Sequence, residues 1–260
     1  MNPAPHSSSR VPPPTPIPPF PPDADPLIGL WPAGKDIVRV YDALHPPRGF
    51  WGGTPTRPGR LHPFTPAGAP GPVPVLYGSD RLAGAISETV FHDIPVRGTK
   101  HVPRATLRRK LAVALTATRD LRLADLTGHG LRRLGATRAE IIDSDPRSYP
   151  DTASWAHGLH AHREHLDGIQ WVSRQYDTAL ALILFGDRVR ETELDIAPTG
   201  IPMPLALGAG FDDVQDLADL TGPTSPSPET HCSAARSCVR AGHRLCLCQL
   251  ECSWWVVSCR

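Results

Sequence analysis

PVLYGSDRLAGAISETVFHD, residues 74–93, changes period midway. Up to Ser79 it reads as a short strand. From there Leu82, Ile86 and Val90 recur at the spacing of one helix face. Asp80 stands between the two, where a short side-chain acceptor can cap a helix, so it is expected as the N-cap. Upstream, KDIVRVYDAL (35–44) alternates as a strand, with Ile37, Arg39 and Tyr41 on one face and Val38 and Val40 on the other. Downstream, 110–127 reads as two strands with a turn near 118–120. SYPDTASWAHGLHAHREHL (148–166) fits a helix, and GIQWVS (168–173) and TALALILFG (178–186) fit strands. Helices and strands interleave without a regular βαβ period, which predicts one mixed α+β domain over 27–221.

The two ends differ from this middle. Of 31 prolines, 21 precede residue 75, and eleven lie in 1–26. Such a leader cannot donate regular backbone hydrogen bonds, so 1–26 is expected to be disordered or extended along the domain surface, without a core of its own. All six cysteines, Cys232, Cys238, Cys246, Cys248, Cys252 and Cys259, fall in the last 29 residues. They form no C-x-x-C pair, and His231 and His243 are poorly spaced for a zinc finger. Residues 222–260 are therefore expected to be an irregular tail, of a composition that GC-rich DNA yields when read out of frame.

Composition excludes several classes. The 27 basic and 26 acidic residues leave a formal charge of +1, so no whole-chain field recruits nucleic acid or an anionic membrane. No run approaches 18 apolar residues, and MNPAPHSSSR lacks the layout of a signal peptide. A soluble, cytoplasmic protein is the expectation. No G-x-G-x-x-G, P-loop or G-x-S-x-G pattern appears. His157, His160, His162 and His165 point at roughly 0°, 300°, 140° and 80° around a helix, so they cannot share one ion. An exposed polar helix face is expected there, and no metal.

What remains is a dispersed set: Arg39 and Tyr41 on one strand, Tyr77 on another, Glu88 in the helix that follows, and Ser173 after GIQWV. With RVY (39–41), LYGSDRLAGAISETVFH (76–92), ADLTG (124–128), YPDTASWAHGLH (149–160), GIQWVSRQYD (168–177) and LILFGDRV (182–189), the chain resembles the RES domain family over about 27–195. The family's arginine, glutamate and serine fall on Arg39, Glu88 and Ser173.

The resemblance implies a fold like that of ADP-ribosyltransferases and a toxin of a type II toxin–antitoxin pair. It implies NAD+ as substrate, cleaved by phosphorolysis or hydrolysis, with inorganic phosphate as a co-substrate in the first case and no resident cofactor. Protein ADP-ribosylation at the same site is the alternative, and a catalytically inactive binding module is another. The implied partner is an antitoxin with a helix-turn-helix DNA-binding domain, in a toxin–antitoxin hetero-oligomer; a homodimer is the other assembly expected. The residues suit that chemistry. Nicotinamide leaves a cationic ring as a neutral molecule, so one carboxylate, Glu88, suffices to stabilise the oxocarbenium-like ribose. Arg39 can grip a phosphoryl group, and Tyr41 and Tyr77 can face a flat cationic ring. Ser173 can position a ribose hydroxyl, a phosphate oxygen or Glu88. His45, Arg48 and Arg60 in the Gly/Pro-rich loop 45–72 are further candidate contacts, and Arg174 or Arg48 a candidate second anion site.

Overall fold

The apolar alternation of the strands is resolved by one curled sheet in the computed structural model, which describes residues 15–54, 58–95, 100–198 and 200–221. Along the chain run β1 (Ile28–Trp31), β2 (Asp36–Asp42), β3 (Val75–Ser79), α1 (Leu82–Val90), α2 (Arg104–Leu107), β4 (Lys110–Ala117) and β5 (Leu121–Asp125). There follow α3 (Gly128–Arg133), α4 (Arg138–Ile141), α5 (Tyr149–His160), β6 (Gly168–Val172), β7 (Leu180–Phe185), β8 (Leu194–Ile196), β9 (Met203–Pro204) and α6 (Gly208–Leu220). The strands lie in the order β1-β5-β6-β7-β3-β2-β4-β8, with β9 also on β4. Every pairing is antiparallel except β5 with β6. This is a mixed α/β domain with a half-barrel of sheet at its centre.

Both faces of the sheet are covered, which is why LALILF in β7 is apolar without alternation. The inner face of the curl gathers Trp31, Ile37, Tyr41, Leu76, Leu115 and Leu182. On the outer face, Ile169, Trp171, Ile183 and Phe185 meet Trp155 and Leu159 of α5. A second outer cluster sets Ile86 of α1 against Ala112, Leu205 and Val214. Each fully buried large side chain contributes about 1.5–3 kcal/mol.

Several expectations need correction. Asp80 does not cap α1: the helix begins after Arg81, and Asp80 accepts instead from the N–H of Leu180 at 2.9 Å. It thus ties the end of β3 to the start of β7. The helix from 148 stops at His160, short of Leu166. Of the four histidines expected on an exposed face, His165 is exposed, but His160 is 5% exposed, bonded to Asp187 at 2.8 Å and packed on Phe64 and Phe185. Of the two forms expected of the leader, residues 15–26 take the one laid along the domain. Phe20 meets Trp155 edge-on at 5.3 Å, and the indole donates to the carbonyl of Pro18 at 2.7 Å. Asp25 also pairs with Arg133. An apolar side chain every few residues lets even a proline-rich segment adhere to a core. The cysteine tail, 222–260, lies outside the described residues. No helix among the described residues is long and apolar enough to cross a membrane.

Candidate active site

The site begins with a split in the sheet. β2 and β3 share a single registered pair, Val38 opposite Ser79. At its other end β3 pairs with the loop residue Trp51, whose N–H and C=O exchange bonds with Val75 at 2.8 and 2.9 Å. A cleft of about 790 Å³ opens there. Arg39 and Tyr41 line it from β2, Tyr77 from β3 and Glu88 from α1. Four of the five residues singled out in sequence are thus brought together.

Glu88 is aimed by close packing. One turn before it on the same helix face, Gly84 lies so near the sheet that a Cβ would collide with Ser79 Oγ and stand 2.6 Å from the Ala179 methyl. Glu88 then reaches the end of β6, where its Oε1 accepts from the Ser173 hydroxyl at 2.6 Å and the Arg174 backbone N–H at 2.7 Å. Oε2 has no hydrogen bond among the described residues. Two donors on one oxygen fix the plane of the carboxylate and leave the other oxygen for the cleft.

Ser173, the fifth residue, does not line the cleft. It is fully buried, and its Oγ also accepts from the N–H groups of Gln175 and Tyr176 at 3.2 and 3.0 Å. One donor and two acceptor positions are occupied, which is the capacity of a hydroxyl. Of the roles expected for Ser173, this geometry serves the holding of Glu88 and not contact with a ribose or phosphate. Behind it, Arg138 donates to the carbonyls of Val172 and Ser173 at 3.1 and 2.8 Å.

Arg39 donates through Nη1 to the carbonyls of Pro47 and Gly49 at 3.1 and 2.9 Å, while its Nε is buried without a partner. Burial lowers its pKa to about 10, with the Tyr41 and Glu191 groups opposing that shift. Its guanidinium lies 5.7 Å from the Tyr41 ring centroid. The Tyr41 hydroxyl is pushed up by burial, against the nearby Arg39 charge. Tyr77 donates to the carbonyl of Arg60 at 2.8 Å, and burial pushes its pKa well up. Both tyrosines therefore present neutral rings.

His45 and Arg60 also line the cleft; Arg48 and Arg174 do not. Arg48 bonds the Leu194 carbonyl and Arg174 the Ser144 carbonyl, each through one Nη1–H. Sequence reasoning passed over Trp51 and Trp171, which line the cleft, and Arg138. Trp171 carried a legible signal, as a polar-capable aromatic two positions before Ser173 in an apolar strand. Arg138 carried none, because its partners are backbone carbonyls 34 and 35 positions away. Among the described residues, no three His, Cys, Asp or Glu side chains are gathered as a metal ion would require.

No curated protein matches the chain. Among solved structures, one chain of the crystal structure of the M. tuberculosis MbcT–MbcA toxin–antitoxin complex has a similar fold, with a TM-score of 0.51 and 16% identity. The likeness covers 73% of this chain and 90% of that one. The profile of the RES domain matches residues 37–206, which include Arg39, Tyr41, Tyr77, Glu88 and Ser173. With well over half of its length matched, the chain belongs to the RES domain family.

Proposed function

We propose that the chain is the toxin of a type II toxin–antitoxin pair and cleaves the nicotinamide–ribose bond of NAD+, depleting the cell of it. The observation that carries the reading is Glu88, its Oε1 locked by Ser173 and Arg174 and its other oxygen free, in a cleft that also holds Arg39, Tyr41 and Tyr77. A cleft of about 790 Å³ falls within the usual range for small-molecule sites. The bond from ribose C1′ to the ring nitrogen breaks, and its electron pair leaves with neutral nicotinamide. Glu88 stabilises the positive charge that grows on the ribose. A phosphate oxygen, or a water that releases a proton, then forms the new bond to C1′. Arg39 grips a phosphoryl group, and the tyrosine rings face the nicotinamide.

We take the fold to be akin to that of ADP-ribosyltransferases, with the cleft beside the split between β2 and β3 as the seat of the dinucleotide. The likeness to a toxin from a toxin–antitoxin complex supports an antitoxin partner, which we take to carry a helix-turn-helix DNA-binding domain. The site of action would be the cytoplasm.

The test incubates the full chain with NAD+, with and without phosphate, and follows nicotinamide. Release that depends on phosphate makes it a phosphorylase, and equal release without phosphate makes it a glycohydrolase. Label transferred to a macromolecule makes it a protein ADP-ribosyltransferase. A folded chain that releases nothing and transfers nothing would leave only the binding of an antitoxin.

A further inference from the structure

Helix α5 is gripped from two sides. On one side lies the turn 59–64. The Tyr149 ring stands 5.8 Å from Arg60 Cζ, and Thr152 Oγ1 accepts from the Leu61 N–H at 3.4 Å. Phe64 stacks on His157 at 5.9 Å and meets His160 at 5.4 Å. On the other side lies the leader. Phe20 meets Trp155 at 5.3 Å, and the indole donates to the Pro18 carbonyl at 2.7 Å. Gly158 makes room for this contact, because a Cβ there would collide with the Phe20 ring. At roughly 100° per residue, the four side chains that meet the turn fall within about 140° of one another, with Trp155 and Gly158 roughly opposite.

The turn depends on that grip. Leu61 has a φ of 65°, a left-handed backbone that its Cβ opposes. A leucine keeps such a conformation only where its surroundings over-determine it. Gly59 and His62 close the turn with backbone bonds at 2.8 and 3.3 Å. The Leu61 side chain is fully buried in the cluster that holds Trp155 and Leu159, and Ile17, Phe20 and Ala24 of the leader pack against the same cluster. The turn also shapes the cleft. Gly59 and Arg60 line it, and the Arg60 carbonyl accepts from the Tyr77 hydroxyl at 2.8 Å.

We propose that Phe20 and Trp155 are positioning residues for the cleft. The leader straps α5 onto the turn 59–64, α5 keeps Leu61 in its left-handed form, and the turn holds Tyr77 in the cleft wall. Neither Phe20 nor Trp155 lines the cleft itself. None of these contacts involves Glu88, Ser173 or Arg174, so the strap governs the shape of the cleft and not the aim of the carboxylate. The kinetic part of the test rests on the NAD+ reading above.

The test combines backbone hydrogen exchange with KM and kcat for nicotinamide release, on the full chain. It compares wild type with Phe20→Ala, Phe20→Leu and Val214→Ala. Val214 belongs to the α6 cluster, which shares no residue with that of Trp155, so its variant controls for loss of stability alone. In Phe20→Ala the Leu61 and His62 amides should exchange about tenfold faster or more, while those of β7 change less than about twofold. KM for NAD+ should rise about tenfold, with kcat falling less than about threefold. Phe20→Leu keeps an apolar contact without the ring edge and should show the same pattern at about threefold. It carries the test should Phe20→Ala fail to fold. Val214→Ala should leave both the turn and KM unchanged. Exchange that rises evenly along the chain in the Phe20 variants overturns the proposal. So does an unchanged KM in an active enzyme, or an equal response to Val214→Ala. Selective opening of the turn in a protein whose wild type releases no nicotinamide keeps the strap and sinks the NAD+ reading instead.

Discussion

The Ser173 hydroxyl donates to Glu88 Oε1 at 2.6 Å, joining the end of β6 to a helix 85 positions earlier in the chain. The same oxygen takes the next backbone N–H, that of Arg174, at 2.7 Å. Ser173 is thus the keeper of Glu88, and their substitutions should differ in kind. On the proposed NAD+ chemistry, Glu88→Gln removes the charge assigned to the ribose cation and should lower kcat for nicotinamide release by about 10²-fold or more. Ser173→Ala leaves the charge but frees its orientation, and also strips the N–H groups of Gln175 and Tyr176 of their acceptor. A fall in kcat of about tenfold with KM for NAD+ little changed is expected, together with about 1–3 kcal/mol of lost stability. A rise in KM without a fall in kcat would return Ser173 to direct substrate contact.

Arg138 should act through that pair. It opens α4 with Thr137 as its cap in a reciprocal bond pair with Glu140, and Asp143 accepts from its Nε at 3.1 Å. The fork to the carbonyls of Val172 and Ser173 needs a planar guanidinium, which an ammonium cannot copy. Both Arg138→Ala and Arg138→Lys should lower kcat, by about tenfold and several-fold, as a looser Glu88 misorients. In a Glu88→Gln background either change should cost less than about twofold, because there is no aligned carboxylate left to disturb. Equal losses in both backgrounds would mark Arg138 as a fold element only.

Gly84 permits two effects to be weighed against each other. Alanine in mid-helix is worth about 1 kcal/mol over glycine, while overpacking costs about 1–3 kcal/mol. The Cβ of Gly84→Ala would meet Ser79 and Ala179, both on the rigid sheet side. The packing cost should win, so thermal denaturation should show a lower Tm, and nicotinamide release per folded molecule should drop as α1 lifts Glu88 away from Ser173. A higher Tm would mean that α1 has room to move.

How far the sequence carried this reading follows from the reach of each interaction. β2 was legible because its alternation states its own period, and β3, β6 and β7 because a short, mostly apolar run between turn residues reads as a buried strand. Glu88 and Ser173 were legible through the family resemblance alone, since nothing local distinguishes Glu88 from a solvated helix residue. α6 was missed because its buried face, Gly210, Val214, Leu217 and Ala218, is spread thinly among aspartates. His160 was misjudged because its partner, Asp187, comes from a turn 27 positions later. Asp80 satisfied every local rule for a cap, and a long-range backbone group, the N–H of Leu180, took its carboxylate instead.

Glu193 should set part of the acid stability. It accepts from the backbone N–H of Arg190 and then from the Arg119 guanidinium, which also forks onto Asp167 at 2.8 and 2.9 Å. Those bonds hold its pKa at about 2, below the ordinary 4.5. The unfolded chain therefore takes up a proton at a pH where the folded chain still refuses it, and unfolding becomes easier as the pH falls. The contribution is complete above the ordinary value and is lost as pH drops from about 4.5 toward 2. Solvent around the partly exposed carboxylate screens it to on the order of 1 kcal/mol. Urea unfolding at a series of pH values should show Glu193→Gln less stable than wild type at neutral pH, with the gap closing over that acid range. A gap that stays constant down to pH 2 would assign the loss to packing around Arg119 and not to the charge of Glu193.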